Sequence, residues 1–173
     1  MDNNKMVSII MPSYNCARYI EASIRSVQAQ TYKEWELLVV DDCNTDGSYE
    51  KVLAMQHDDP RIRVLRQERR QGAATARNRA LREARGRWIA FLDSDDQWEP
   101  EKLERQIAFM LEHGYAFSYT SYQEMDEHLQ PTEKLVTGPA DAPAAPRHNG
   151  ASHAEIPQRG GAAGQRGRPH PIQ

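Results

Sequence analysis

Leu37-Leu38-Val39-Val40 is apolar at every position and stops at Asp41-Asp42. A run this short with no polar alternation has no face to give to water, so it predicts a central strand of a parallel sheet, covered on both sides. That choice constrains the neighbours, because parallel strands need crossover connections, usually helices. The flanking sequence supplies them. Val7-Ser8-Ile9-Ile10-Met11, closed by Pro12, predicts the first strand. Ile62, Val64 and Leu65 predict a third, Trp88-Ile89-Ala90-Phe91-Leu92 a fourth and residues 115–119 a fifth.

Helical spacing fills the gaps. Ile20, Ile24 and Val27 give one apolar stripe within residues 17–30. Asp46-Gly47-Ser48 predicts a turn into a short helix with Tyr49, Val52 and Leu53 inward. Ala73, Ala76, Ala80 and Ala84 form a small-residue stripe on a helix over residues 72–85, with Gly86 expected as its C-terminal cap. Pro100 suits the first turn of a fourth helix, with Leu103, Ile107, Met110 and Leu111 inward and Gly114 after its end. Right-handed crossovers put all five strands in one twisted sheet with helices on both faces. The expected fold class is α/β with a mostly parallel, Rossmann-like sheet.

In such sheets ligands bind beyond the carboxyl ends of the strands, where strand order reverses. The residues expected there are 12–15, Asp41-Asp42 and Asp93-Ser94-Asp95-Asp96. Three carboxylates within four residues repel one another unless a cation sits among them, and a hard divalent ion held through oxygen is the economical partner. The bland alternative is a solvated loop with a helix N-cap. A calcium-binding loop starting at Asp93 fails, because Trp98 stands where a sharp-turn glycine is needed and Pro100 follows. An Asp-nucleophile phosphatase remains a weaker alternative, since three strands precede the motif and Gln97 stands where a threonine is usual. Gly47, Gly72, Gly86 and Gly114 are isolated, so a nucleotide would need a metal bridge and a base pocket rather than a glycine-rich cradle.

Composition narrows the class and divides the chain. No apolar stretch approaches the roughly 20 residues of a membrane span, and the polar start lacks the apolar core of a secretory signal. Cys16 and Cys43 are too few for a disulfide framework. These features predict a cytoplasmic protein. Ten arginines lie in residues 61–87, yet they lack interleaved aromatics and the net charge is −3, which argues against nucleic acid as a partner. All 13 aromatic residues lie in residues 1–130, whereas residues 131–173 hold 7 of the 10 prolines and 6 of the 10 glycines. The expected organisation is a folded part over residues 1–130 and a disordered Pro/Gly/Arg-rich tail over residues 131–173.

Four ordered segments carry a resemblance: residues 7–15 ending in Pro12-Ser13-Tyr14-Asn15, Gln30-Thr31-Tyr32 with Glu36 through Asp42, Ala76-Arg77-Asn78, and Phe91-Leu92-Asp93-Ser94-Asp95-Asp96 with Pro100. Together they resemble the family 2 glycosyltransferases of the GT-A fold, from about residue 6 to about residue 122. The resemblance implies a nucleotide-sugar-binding half-domain acting in polysaccharide or glycan synthesis. Pro12 and Tyr14 would line the nucleoside pocket, Asp42 would accept a hydrogen bond from the base, and Asp93 would face the ribose or sugar. Asp95 would hold Mg or Mn on the diphosphate, and Arg77 would lie near the nucleotide. The implied donor is a nucleoside-diphosphate sugar, UDP-linked, and the implied acceptor a glycan or lipid-linked glycan, compatible with peripheral association at the inner face of the membrane.

The chain departs from the family after Gln130. An inverting transferase needs a carboxylate base within reach of the acceptor hydroxyl. Beyond residue 130 only Glu133, Asp141 and Glu155 are acidic, and no catalytic base is assigned. The expectation is a truncated form with donor-binding geometry and little or no turnover. The alternative is a non-catalytic nucleotide- or partner-binding module of the same fold.

Overall fold

The computed structural model of the chain describes residues 5–126, 130–137 and 155–156. The chain packs as two compact units, Met1–Pro100 and Glu101–Gln173, and the compositional break at residue 130 lies inside the second.

The first unit is built on a parallel four-stranded sheet: β1 (Val7–Ser13), β2 (Trp35–Asp41), β3 (Ile62–Arg66) and β4 (Trp88–Phe91), in the order β3-β2-β1-β4. The two central strands are buried at every residue, which is why they carry the unbroken apolar runs. The edge strands are not. On β4, Ile89 and Phe91 alternate with half-buried neighbours and stand 41% and 54% exposed.

Helices α1 (Ile20–Gln28), α2 (Ser48–Asp58) and α3 (Ala73–Glu83) follow the first three strands. Ile20, Ile24 and Val27 of α1 are fully buried. The small-residue stripe of α3 seats Ala76 and Ala80 against Ile10, Leu38 and Val40, on one face of the sheet. Strand alternation sends Ile9, Met11, Leu37 and Val39 to the opposite face, also fully buried. Gly47 opens α2 with φ of +88°, a conformation that costs a residue with a Cβ. Only Val52 of the expected inward trio of α2 is buried. Tyr49 is half-buried and Leu53 37% exposed.

Gly86 does not cap α3. The helix ends at Ala84 with extended backbone, and Gly86 instead passes so close to the first strand that a Cβ there would lie 2.6 Å from Ser8 N and 2.7 Å from Met6 O. Its N–H donates to Ser8 Oγ at 2.8 Å. The glycine is needed for close backbone approach rather than for left-handed geometry.

The second unit holds α4 (Lys102–His113), whose Leu103, Ile107 and Met110 are buried while Leu111 stands 61% exposed. Gly114 closes this helix with φ of +67°, as the sequence pattern predicts. The fifth strand differs from expectation. β5 is confined to Tyr119–Thr120 and pairs in parallel with β8 (Glu155–Ile156), outside the four-stranded sheet. β6 (Tyr122–Met125) pairs antiparallel with β7 (Pro131–Val136), so the first residues of the compositionally distinct tail form a strand. Asp126 and Gln130 close that hairpin reciprocally, with Asp126 N donating to Gln130 O and Gln130 N to Asp126 Oδ1, each at 2.9 Å. Most of the expected disordered tail, residues 138–154 and 157–173, lies outside the described residues.

Candidate active site

Strand order reverses at β1, with β2 and β3 on one side and β4 on the other. The crevice beyond the carboxyl ends of β1 and β4 is therefore the place where an open α/β sheet accepts a ligand. Three loops meet the strand ends there.

The first two loops are locked to each other. Asn15, at φ +47°, donates its backbone N–H to Asn44 Oδ1 at 2.6 Å, and its own Oδ1 accepts from Thr45 N at 2.9 Å. Asn44 Nδ2 donates to Ser13 Oγ at 2.8 Å, and Asn44 N to Asp41 Oδ1 at 2.9 Å. Asp46 takes Ala17 N at 2.8 Å and Ser48 N at 3.1 Å. Asn15 tolerates the left-handed turn, Cys43 takes the corresponding conformation in the second loop at φ +65°, and the two asparagine side chains satisfy loop amides. Pro12 is buried within β1, in register with Val40, and Tyr14 projects 43% exposed from the loop after it.

Asp41 and Asp42 face different tasks. Burial pushes the Asp41 carboxyl up, against the pull of the Asn44 N–H and of Arg66, whose Nε lies 3.2 Å away. Asp42 is 3% exposed and accepts three hydrogen bonds from the loop after β3: Gln67 Nε2 at 2.7 Å and Gln71 N at 2.7 Å on Oδ1, and Gly72 N at 2.8 Å on Oδ2. Most of its acceptor capacity is thus spent on holding residues 67–72 in place.

The acidic segment after β4 is fixed from α1. Ser23 Oγ donates to Ser94 O at 2.9 Å, Trp98 N to Ser26 Oγ at 3.1 Å and Gln30 Nε2 to Glu99 O at 2.7 Å. Asp96 N closes a turn onto Asp93 O at 3.0 Å. A cleft of about 360 Å3 opens here, lined by Arg77, Phe91, Asp93 and Asp96. Arg77 Nη2 meets Asp93 Oδ1 at 2.5 Å, which brings two of the candidate residues together.

Among the described residues no cationic side chain pairs with Asp95 or Asp96. Burial raises the Asp95 carboxyl, with Asp93 adding repulsion. Asp96 is pushed up to about 7, first by burial and then by the charges of Asp95 and Asp93. Its Oδ1 is buried and accepts no hydrogen bond. An orphaned buried carboxylate oxygen among repelling carboxylates fits a hard cation supplied from outside the chain. Among the described residues no three His, Cys, Asp or Glu side chains enclose an ion. The carboxylates therefore fit a partial oxygen set, of the kind a magnesium-like ion completes with water and phosphate.

Residues 8–155 match Glycosyl transferase family 2. The chain belongs to this family. It is 46% identical over 134 residues to a putative teichuronic acid biosynthesis glycosyltransferase of Bacillus subtilis (strain 168), TuaG, covering 78% of this chain and 53% of that protein. It is 54% identical over 118 residues to the Escherichia coli UDP-Glc:alpha-D-GlcNAc-diphosphoundecaprenol beta-1,3-glucosyltransferase WfgD, covering 68% of this chain and 46% of the relative. The chain spans about half the length of these relatives. Among solved structures, S. aureus TarS 1-349 in complex with UDP-GlcNAc superposes with a TM-score of 0.66 at 30% identity, over 73% of this chain and 37% of that one. The mannosyltransferase PcManGT of Pyrobaculum calidifontis, in complex with GDP-Man and Mn2+, gives 0.64 at 26%, over 69% and 36%. The fold is thus GT-A, as the motifs imply. No described helix is long and apolar enough to cross a membrane.

Asn44, Gln67 and Gln71 are absent from the sequence-based candidates, whereas Asn15 and Asp96 fall within the segments expected at the strand ends, residues 12–15 and 93–96. Asp96 had a signal in its position within Asp93-Ser94-Asp95-Asp96. Asn44, Gln67 and Gln71 had none, because their partners Ser13 and Asp42 lie far away in sequence.

Proposed function

We propose that this chain binds a nucleoside-diphosphate sugar, UDP-linked, in the crevice beyond β1 and β4, with a divalent Mg or Mn ion held by Asp95 and Asp96. The observation that carries this reading is the carboxylate cluster at the switch point, with the orphaned Asp96 oxygen at its centre. Tyr14 and Pro12 line the nucleoside side, Asp42 contacts the base, Asp93 faces the ribose or sugar, and Arg77 holds Asp93 in place. The ion, when bound, supplies neutralisation of the diphosphate oxygens as the sugar leaves. The naming of UDP-GlcNAc in the TarS complex, of Mn2+ in the PcManGT complex and of UDP-Glc in the relative's activity supports the choice of ligands.

Calorimetric titration with UDP, with and without Mn, tests this. The metal is expected to tighten UDP binding about tenfold or more, equivalent to at least ~1.4 kcal/mol, and Asp95→Ala to erase the gain. Binding that ignores both the metal and the substitution would overturn the assignment. Trp98, three residues from Asp95, offers a fluorescence readout of the same event.

Sugar transfer also needs a base at the acceptor hydroxyl, and no residue of this chain is assigned to that role. We therefore expect donor binding with little or no turnover. A polysaccharide or lipid-linked acceptor is the class that the relatives' names support. Acceptor-dependent release of UDP by the purified chain would contradict the expectation of inactivity while leaving donor binding intact.

A further inference from the structure

The two edges of the four-stranded sheet are finished differently. On β3, Arg61 O and Gln67 N bond to β2, so the alternate residues Ile62, Val64 and Arg66 turn their backbone groups outward. Each of them is engaged. Ile62 N donates to Asp59 O at 3.0 Å, Val64 N to Gln56 Oε1 at 2.7 Å, and Arg66 O accepts Arg79 Nη1 at 2.5 Å. On β4, Trp88 N donates to Met6 O and Leu92 N to Ile10 O, so Ile89 and Phe91 turn their N–H and C=O groups away from β1. Among the described residues no strand pairs beyond them, and the same two residues carry the exposed apolar side chains. Residues 88–92 contain neither a charge nor a proline to blunt this edge.

The charges flanking β4 select its occupant. Exposed Arg87 precedes the strand and exposed Asp93 follows it, three positions either side of Ala90. A second copy laid antiparallel about a two-fold axis at Ala90 therefore meets Arg87 with its own Asp93, twice over. The same register sets Ile89 opposite Phe91, where the outward N–H and C=O groups of both residues close a hydrogen-bonded pair and the apolar side chains meet on one face. A parallel copy would instead set arginine beside arginine. Because both copies use the same patch, the antiparallel contact closes as a dimer. Arg77 engages Asp93 through Oδ1, and a carboxylate can accept a second guanidinium.

We propose that β4 is a self-association edge, at which two copies of this chain pair antiparallel about Ala90 into one continuous sheet. So short a strand buries far less than the roughly 1,200 Å2 of stable complexes, and the dimer is expected to be weak and concentration-dependent. Sedimentation equilibrium of the native chain, of Arg87→Glu, of Asp93→Lys and of an equimolar mixture of the two variants tests this at low and at moderate salt. The native chain is expected to dimerise, less so as salt screens the two charge pairs. Each variant alone faces like charges across the axis and is expected to dimerise about tenfold or more weakly, whereas the mixture restores both opposite-charge pairs and recovers the dimer. A native chain that stays monomeric, variants that dimerise as the native chain does, a mixture no better than its components, or an open-ended assembly in place of a dimer would each overturn the proposal.

Discussion

Asp42→Ala is expected to release residues 67–72 from the sheet, lowering stability by about 2–3 kcal/mol and removing most of the affinity for UDP. The carboxylate directly follows β2 and takes two backbone N–H groups and one side-chain amide of that loop. Truncation leaves Gln71 N and Gly72 N without their acceptor at the start of α3. Asp42→Asn separates the causes. Its amide oxygen can still accept two hydrogen bonds, but its NH2 would confront one of the loop N–H groups, so an intermediate loss of stability is expected. Urea unfolding and UDP titration of the same samples check this. Lost UDP binding at native stability would instead mean that affinity depends on the contact of Asp42 with the base alone, and not on its hold over residues 67–72.

What was legible in the sequence follows from what local pattern encodes. The strands and helices of the first unit announce themselves because burial on two faces, or on one helical stripe, imposes a period on neighbouring residues. The acidic strand ends are legible for the same reason: a hydrophobic run that stops at Asp-Asp or Asp-Ser-Asp-Asp marks where the strand reaches the crevice. Gly86 shows where local pattern misleads. A glycine after a helix reads as a cap, yet its requirement comes from Ser8 and Met6, far away in sequence. Leu53 and Leu111 fit helical stripes that the packing does not bury. Tyr119 was expected in the main sheet because a strand-like run says nothing about its partner, and here the partner is Glu155. The asparagine and glutamine locks were invisible for a related reason. Asn15 with Asn44, and Asp42 with Gln67 and Gln71, meet only once β1, β2 and β3 are in register.

The same strand carries a second buried carboxylate at its other end, and it predicts an opposite experimental signature. Glu36 is 6% exposed; its Oε1 accepts Ser8 Oγ at 2.6 Å and Arg85 N at 2.7 Å, and its Oε2 accepts Arg63 Nη1 at 3.2 Å. Ser8 Oγ in turn accepts Gly86 N, so this cluster ties β1, β2, β3 and the α3–β4 connection together at the end of the sheet away from the crevice. Glu36→Ala would strand the Arg63 charge and the Arg85 N–H, and a loss of about 3 kcal/mol is expected, at the lower end of the range for breaking a buried pair because Arg63 keeps a second partner in Glu83. Glu36→Gln keeps one acceptor oxygen for Ser8 and Arg85 and is expected to recover at least half of that. UDP affinity, measured under conditions where both variants remain folded, should be native in each. If Glu36→Ala instead weakens UDP binding as much as Asp42→Ala does, the two ends of β2 are coupled, and the loss of donor affinity at Asp42 must be read as general loosening of the sheet rather than as release of residues 67–72.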